Sequence, residues 1–419
     1  MTTHILLILL CVSALWLFNG LIIKKIRSWH ATEVQFALLA GVLAGPVAGL
    51  IPVSSLGDTT TLMEWACRIT MALALSSAAL QMNRAFLSRQ KYVLAVIVIF
   101  GMILMALSTT VVLQLVLSVG WAAAFLLGWI LTPTDPVVTS TVVRGEQAQK
   151  LLPASMRKAI TYESGINDGL ASPMVMLALS IWLSLHSGPP LDTLHWLWKT
   201  VGYENVLAAI IAYIVGYIAG RILEKAHNAG LMSESTILPF SLAFTLLILA
   251  GLHLLQMNEI VGVFIANLGL SHTVSENDDL EQDEIQSTLE RLFTVPVFFL
   301  LGILLPWQEW ANMGWLAVVA AVLVVVLRRL PAFLLLKPLL GDFRPLPATA
   351  WIGWIGPIGV AALLYALQAH KEGGFEIAWP IVTLVVVASV IIHGSTSLWT
   401  AQLYSKATRK DGDTPESNP

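Results

Sequence analysis

Charge is scarce in this chain: 12% of its 419 residues are Asp, Glu, Lys or Arg, while 57% are hydrophobic. A soluble domain uses about 25% charged residues to cover its surface, so a water-soluble globule is excluded and the chain reads as a polytopic membrane protein. The charges nearly cancel, to a formal net of −3, which removes any electrostatic case for nucleic acid or an acidic partner. Cysteine is scarcer still. Cys11 and Cys67 both lie inside apolar segments, where packing is the plain reading, so nothing points to a disulfide framework or a thiolate metal centre. Basic residues are missing ahead of the first apolar run: MTTHILLILLCVSALWLFNGLIIKK carries its lysines after it, which marks a retained first span rather than a cleaved signal peptide. No stretch is long and polar enough for a soluble domain with an activity of its own. The tail KATRKDGDTPESNP is short, polar and expected to be disordered.

Apolar stretches are what the chain has in abundance. A membrane helix needs roughly 20 such residues, and about thirteen stretches approach that length: 4–23, 34–53, 62–82, 92–117, 121–143, 159–186, 201–222, 236–255, 258–271, 288–307, 314–340, 349–369 and 377–402. The ninth is short. Lys and Arg gather in alternate loops: Lys24, Lys25 and Arg27; Arg84, Arg89 and Lys91; Arg144, Lys150, Arg157 and Lys158; Arg221 and Lys225; Lys337 and Arg344; Lys406, Arg409 and Lys410. Because cytoplasmic loops hold the basic excess, this pattern puts the amino terminus outside and the carboxyl terminus in the cytoplasm. The acidic loop HTVSENDDLEQDEIQST, 272–288, then lies in the cytoplasm and reads as a solvated loop, since acids weigh little in orientation. Tryptophans 121, 198, 307, 310, 315 and 351 fit an interfacial belt.

Two spans are interrupted. Span 5 contains LTPTDPVV, residues 131–138, with prolines on both sides of Thr134 and Asp135. Proline removes a donor and clashes with the preceding turn, so the backbone is expected to unwind around Thr134. Span 12 contains GWIGPIGVAALLYAL, whose Gly356, Pro357 and Gly359 make a second break. If spans 1–6 and 8–13 are inverted copies joined by span 7, the two breaks fall at the same place in each copy. Paired broken helices of that kind point to the binding site of a secondary transporter.

Span 6 carries TYESGINDGLASP, residues 161–173. An ionised carboxylate at mid-membrane costs about 2.5–3.5 kcal/mol, so Asp135, Glu163 and Asp168 must be paired, solvated or protonated. Around a helix Glu163 shares a face with Asn167, and Ser164 with Asp168, whereas the two acids of this span point apart and need different jobs. Asp168, the Ser164 hydroxyl and a carbonyl or hydroxyl of Thr134 offer hard oxygen ligands of the kind that suit an alkali cation. Asp135 is placed to cap the exposed amino end of a half-helix. Glu64 and Arg68, four apart on span 3, neutralise each other. His253 and His393 lie near span ends and read as interfacial packing, with pH sensing as the sharper alternative.

The ordered motifs LTPTDPVVTS, ESGINDGLASP and GWIGPIGVAALLYAL resemble the monovalent cation:proton antiporter superfamily, in the branch of sodium/proton exchangers with an Asn-Asp pair. RRLPAFLLLKP and GPIGVAALLYA are especially similar to fungal plasma-membrane sodium/proton antiporters; without their long tail, this chain reads as a compact prokaryotic version. The resemblance runs from LLAGVLAGP in span 2 through span 12. It implies an all-α fold of about thirteen transmembrane helices in two inverted six-helix repeats with crossed, broken helices. Residues 1–410 would form one transport domain, with dimer and scaffold helices within 1–117 and 201–307, core helices within 92–186 and 314–402, and a cytoplasmic tail at 411–419.

It also implies a secondary antiporter rather than an enzyme, needing no cofactor, working as a homodimer in the cell membrane and exchanging Na⁺ or Li⁺ for H⁺. One carrier acid beside an asparagine resembles the electroneutral one-for-one exchangers with an elevator-like core. Asp168 would carry cation or proton, with Ser164 and Thr134 completing the site, and Asp135, Asn167, Glu163, Gly356 and Pro357 supporting it. Many relatives place an arginine in the span 12 motif as partner of the Glu163 equivalent, where this chain reads GPIG. Arg291 of span 10 is one substitute. Arg328 and Arg329 of span 11 are others, although they read first as cations that snorkel to the cytoplasmic surface. A potassium/proton antiporter of the same fold stays open, since selectivity depends on cavity size and field strength. An intramembrane aspartyl protease using Asp135 and Asp168 is a remote alternative that lacks the Gly-x-Gly-Asp frame.

Overall fold

The computed structural model describes residues 2–28, 31–82, 84–135, 137–143, 146–186, 188, 190, 192–231, 237–273 and 292–408, and the described residues are helical nearly throughout. The first third holds α1 (Thr2–Ser28), α2 (Glu33–Val42), α3 (Thr59–Leu80), and α4 (Arg84–Ala95), which runs through π-helical turns at Val96–Gly101 into α5 (Met102–Leu117). Next come α6 (Trp121–Ile130), the short α7 (Ser140–Val143) and α8 (Glu146–Leu151), and the long α9 (Ala154–Leu185). The chain continues through α10 (Thr193–Trp196), π-helical turns at Leu197–Leu207, α11 (Ala208–Asn228), α12 (Ile237–Leu254) and α13 (Glu259–Ser271). The last third holds α14 (Leu292–Ile303), α15 (Trp307–Met313), α16 (Trp315–Leu327), α17 (Leu330–Leu336), α18 (Leu346–Trp354), α19 (Val360–Gly373) and α20 (Ala378–Thr408).

Among the described residues five helices are long and apolar enough to cross a membrane, or up to six if α14 and α15, bent by 63°, count as one. That is fewer than the thirteen stretches read from the sequence. The difference has a physical origin: α6, α12 and α13 are apolar but short, and the stretch at 349–369 is split into α18 and α19. Continuous hydropathy does not see a break that costs no apolar residues.

Helix ends and contacts follow local chemistry. Thr32 and Gln35 form a reciprocal capping box at the start of α2, which satisfies two amide donors the first turn would leave open. Asp58 caps α3 by accepting the Thr61 amide at 3.1 Å, and the hydrogen bonds from Thr61 hold its carboxyl below the usual aspartate range. Small residues let helices touch. A Cβ on Gly41 of α2 would lie 2.0 Å from the Phe299 carbonyl oxygen of α14, so the pair can approach this closely only because glycine is there. Trp121, Trp198, Trp307 and Trp315 are exposed, as a belt requires. Trp351 departs from it: it is 3% exposed and packs near Tyr404 of α20, ring centroids 6.2 Å apart, because α18 is an interior half-helix.

Candidate functional site

The two interrupted spans cross, and their unwound segments bond to each other. α6 ends at Ile130 and residues 132–135 have no regular structure; α18 ends at Trp354 and residues 355–359 have none. The Asp135 amide donates to the Pro357 carbonyl at 2.8 Å. The Asp135 carboxylate accepts the Val137 amide at 2.9 Å and, at 3.2 Å, the amide of Val360, the first residue of α19. A negative charge therefore sits at the positive end of a half-helix, the capping role expected of it. Gly359 makes room for this: a Cβ there would lie 2.1 Å from Asp135 Oδ2.

The opposite pole is filled by a residue that the sequence reading assigned elsewhere. The Arg328 guanidinium donates to the carbonyls of Leu131, Thr132 at 3.1 Å and Pro133 at 3.2 Å, and also to that of Gly356. These are carbonyls that the ends of α6 and α18 leave without intrahelical partners. One buried cation thus answers the negative ends of two half-helices, while Asp135 answers a positive one.

Arg329 pairs with Glu163. Its two terminal nitrogens lie 2.5 and 2.6 Å from the two carboxylate oxygens, and both side chains are 2% exposed. Its Nε donates to the Ile352 carbonyl at 3.0 Å, and its guanidinium carbon lies 4.1 Å from the Phe333 ring centroid. Gly356 is again a matter of room, since a Cβ there would meet Arg329 Cδ at 2.3 Å. The snorkelling reading of the arginine pair is corrected: Arg328 and Arg329 are 1% and 2% exposed. Thirteen residues separate Trp315 from Arg328, about 20 Å of helix at 1.5 Å per residue, and α17 continues beyond. That depth was the available signal. Arg291, the other substitute, lies outside the described residues.

α9 grips the first break from the side. The Asn167 amide group donates to Thr134 Oγ1 at 2.8 Å and its oxygen accepts the Thr134 amide at 3.3 Å, while the Ser164 hydroxyl donates to the Thr134 carbonyl. Asn167 and Ser164 thus fix both faces of one unwound residue. Asp168, one turn on from Ser164, lines a cavity of about 20 Å³ with Ser164, Asp135, Thr161, Thr70 and Thr294 and the apolar Met71, Leu75 and Val360. A space of that size holds about one water-sized particle, since roughly 10–15 Å³ admits a water. The structure brings Asp168, Ser164 and Asp135 to one cavity. Thr134 is bonded to Ser164 but is not part of the lining, and Glu163, Gly356 and Pro357 stand behind the site rather than in it.

Other contacts went unread in the sequence. The Tyr365 hydroxyl of α19 donates to the Asp168 carbonyl, tying the second broken span to the acid's own backbone. His393 was placed near a span end; it lies inside α20, 1% exposed. Its Nε2 is 3.1 Å from the Trp354 carbonyl and its Nδ1 3.0 Å from Ser389 Oγ, which accepts the Ile358 amide at 2.8 Å. Ser389 and His393 stand four apart on an apolar helix, a spacing that marks one polar face, and here that face serves the second break. Glu64 and Arg68 do pair, at 2.7 Å, but they also bind Lys371 and Glu259. His253 is partly exposed beside Glu259, at 3.6 Å. Among the described residues no three His, Cys, Asp or Glu side chains gather in a metal-binding cluster.

Comparison with known proteins places this geometry. Residues 6–402 match the family model described as sodium/hydrogen exchanger, transmembrane. The chain is similar to a probable Na(+)/H(+) antiporter of Schizosaccharomyces pombe, 25% identical with 92% of this chain and 54% of the relative covered. Na(+)/H(+) antiporter 2 of Zygosaccharomyces rouxii is 26% identical, over 87% of this chain and 48% of the relative. The Na(+)/H(+) antiporter NhaP of Pseudomonas aeruginosa is 26% identical, over 66% and 65%. The chain spans about half the length of the two fungal relatives. Among solved structures, the sodium proton antiporter MjNhaP1 of Methanocaldococcus jannaschii superposes with a TM-score of 0.72 at 19% identity, covering 96% of this chain and 99% of that one. The shared fold is all-helical.

Proposed function

The chain belongs to the family of transmembrane sodium/hydrogen exchangers, and from that premise we propose that it exchanges Na⁺ or Li⁺ for H⁺ across a cell membrane, with both competing for Asp168. The observation that carries this is the placement of Asp168 and Ser164 on one small cavity at the crossing of two broken helices. Hard oxygens line it, which suits an alkali cation. A protonated carboxyl offers that cation a weaker ligand, so one acid cannot hold both cargoes, and competition alone couples the two fluxes one for one. Alternating access follows if the helices around the crossing, within 92–186 and 314–402, travel elevator-fashion against a dimer-forming scaffold drawn from 1–117 and 201–307. In this reading about thirteen helices form two inverted repeats, the amino terminus lies outside and the carboxyl terminus in the cytoplasm. Ser164 completes the ion site, with Thr134 behind it holding the serine hydroxyl through its carbonyl; Asp135, Asn167, Glu163, Gly356 and Pro357 support it. The protease alternative is disfavoured by Asp135, whose oxygens take two main-chain amides and so serve a helix end.

The test is flux in proteoliposomes. An imposed Na⁺ gradient should drive opposing proton movement in the wild type and none in Asp168→Asn, which should elute and melt like the parent. Undiminished exchange in that variant would remove Asp168 as the carrier. Li⁺ and K⁺ gradients in the same vesicles separate a sodium exchanger from a potassium one.

A further inference from the structure

Away from the cavity, α3 and α19 are joined by an ion pair that the exchange reaction as described does not use. Lys371 Nζ lies 3.1 Å from Glu64 Oε2. The other oxygen of Glu64 accepts Arg68 Nη2 at 2.7 Å and Nε at 3.2 Å, and Arg68 in turn binds Glu259 of α13. Glu64, Arg68 and Glu259 are buried, with side chains 4, 7 and 9% exposed, whereas the Lys371 side chain is 61% exposed. Three groups are fixed among α3 and α13. The fourth reaches in from α19.

The positions along the helices matter. Val360 and Ala361 of α19 line the cavity with Met71, Ala74 and Leu75 of α3, and Lys371 meets Glu64 eleven residues further along each helix. At 1.5 Å per residue the ion pair stands about 16 Å from Leu75 and Val360 and about 9 Å along α3 from Thr70, the lining residue nearest to it, with the two helices antiparallel. The turns between carry Cys67, Leu363, Leu364 and Leu367, all buried, so this side is closed by apolar packing with a charged clasp at its outer end. On α3 the lining runs from Thr70 to Ala78, and on α9 from Thr161 to Asp168. α9 confirms the direction, since its far end meets the Lys371 end of α19: Leu179 abuts Gly373, and Trp182 packs edge-on to Phe375 at 4.9 Å.

We propose that Lys371 is a positioning residue of the exchange cycle: closing on Glu64, it holds the Asp168 cavity shut on its own side, and it must let go before the cavity can open there. Arg68 and Glu259 keep the receiving carboxylate in place. This rests on the alternating-access reading above, in which α19 moves against α3. The clasp is suited to opening because its moving half is a lysine that water already reaches, while the buried half remains compensated by Arg68.

The experiment reads accessibility and needs no exchange, so its failure and that of the Asp168 assignment are distinguishable. In a Cys11→Ala, Cys67→Ala background, Ala74→Cys places one thiol on the cavity wall. Proteoliposomes are treated with a membrane-impermeant methanethiosulfonate reagent on the side that carries Lys371. Adding Lys371→Gln should raise the labelling rate on that side by about threefold or more and lower it on the opposite side; Lys371→Arg should restore the parent rates. Lys371→Met, which also removes the charge, should behave as Lys371→Gln. Equal rates for parent and Lys371→Gln in monodisperse protein would overturn the proposal, as would Lys371→Arg labelling as fast as Lys371→Gln.

Discussion

The Glu163–Arg329 pair permits a sharp test of what the buried charges do. Both side chains are 2% exposed and meet through two short contacts, so neither ion has water to fall back on. Glu163→Leu leaves the guanidinium with the Ile352 carbonyl, the Met105 sulfur and the Phe333 ring, and removing one partner of a buried pair costs about 3–5 kcal/mol. Arg329→Met leaves the carboxylate in the same position and should cost a similar amount. Replacing both, Glu163→Leu with Arg329→Met, removes the desolvation penalty together with the attraction, and such swaps are often neutral. Thermal unfolding of detergent-purified protein, followed by tryptophan fluorescence, should therefore show each single variant melting well below the wild type. The double variant should recover most of the loss, with a coupling of about 3 kcal/mol or more. Wild-type melting of Glu163→Leu, or a double variant that loses the sum of the singles, would refute the pairing as the source of stability.

Two further outcomes follow from the crossing. Arg328→Met should destabilise more than Arg328→Lys in the same melting assay, because an unsatisfied buried carbonyl costs about 1–3 kcal/mol and four lose their donor in the first case; equal melting of the two would show that the carbonyls find other donors. Asp135→Asn keeps an oxygen for the Val360 amide and should fold with slowed exchange, while Asp135→Ala should melt lower by about 1 kcal/mol, the usual worth of a cap. Identical melting of the Asn and Ala variants would count against capping.

The breaks were legible because proline and glycine act locally: Pro133 removes a donor wherever the chain goes, and Gly356 and Gly359 announce backbone that must pass close to something. The carboxylates were legible because an acid in an apolar run demands a reason. Helical periodicity separated Glu163 from Asp168, and their surroundings do differ: one faces an arginine and the other a cavity. What stayed hidden was pairing at a distance. Nothing in RRLP tells which arginine goes to a carboxylate and which to carbonyls 195 to 197 positions away in sequence. The same holds for Lys371, whose partner Glu64 lies 307 positions away, and for His393, whose partner is a carbonyl freed only once span 12 unwinds. The count of long helices among the described residues is smaller than the count of apolar stretches for a related reason: hydropathy measures where oil is acceptable, and a helix shorter than the bilayer can still be entirely oily.

Arg328 has a mechanical consequence. A single planar head, gripped by oxygens from both interrupted strands, works as a rivet through two plates: neither strand can slide or tilt alone without tearing away a set of bonds for which no water is at hand. Motion that carries the ion from one face of the bilayer to the other is therefore expected to transport both strands as a stiff unit, and the bending has to be found at the margins, in the loops and π-helical turns that surround it.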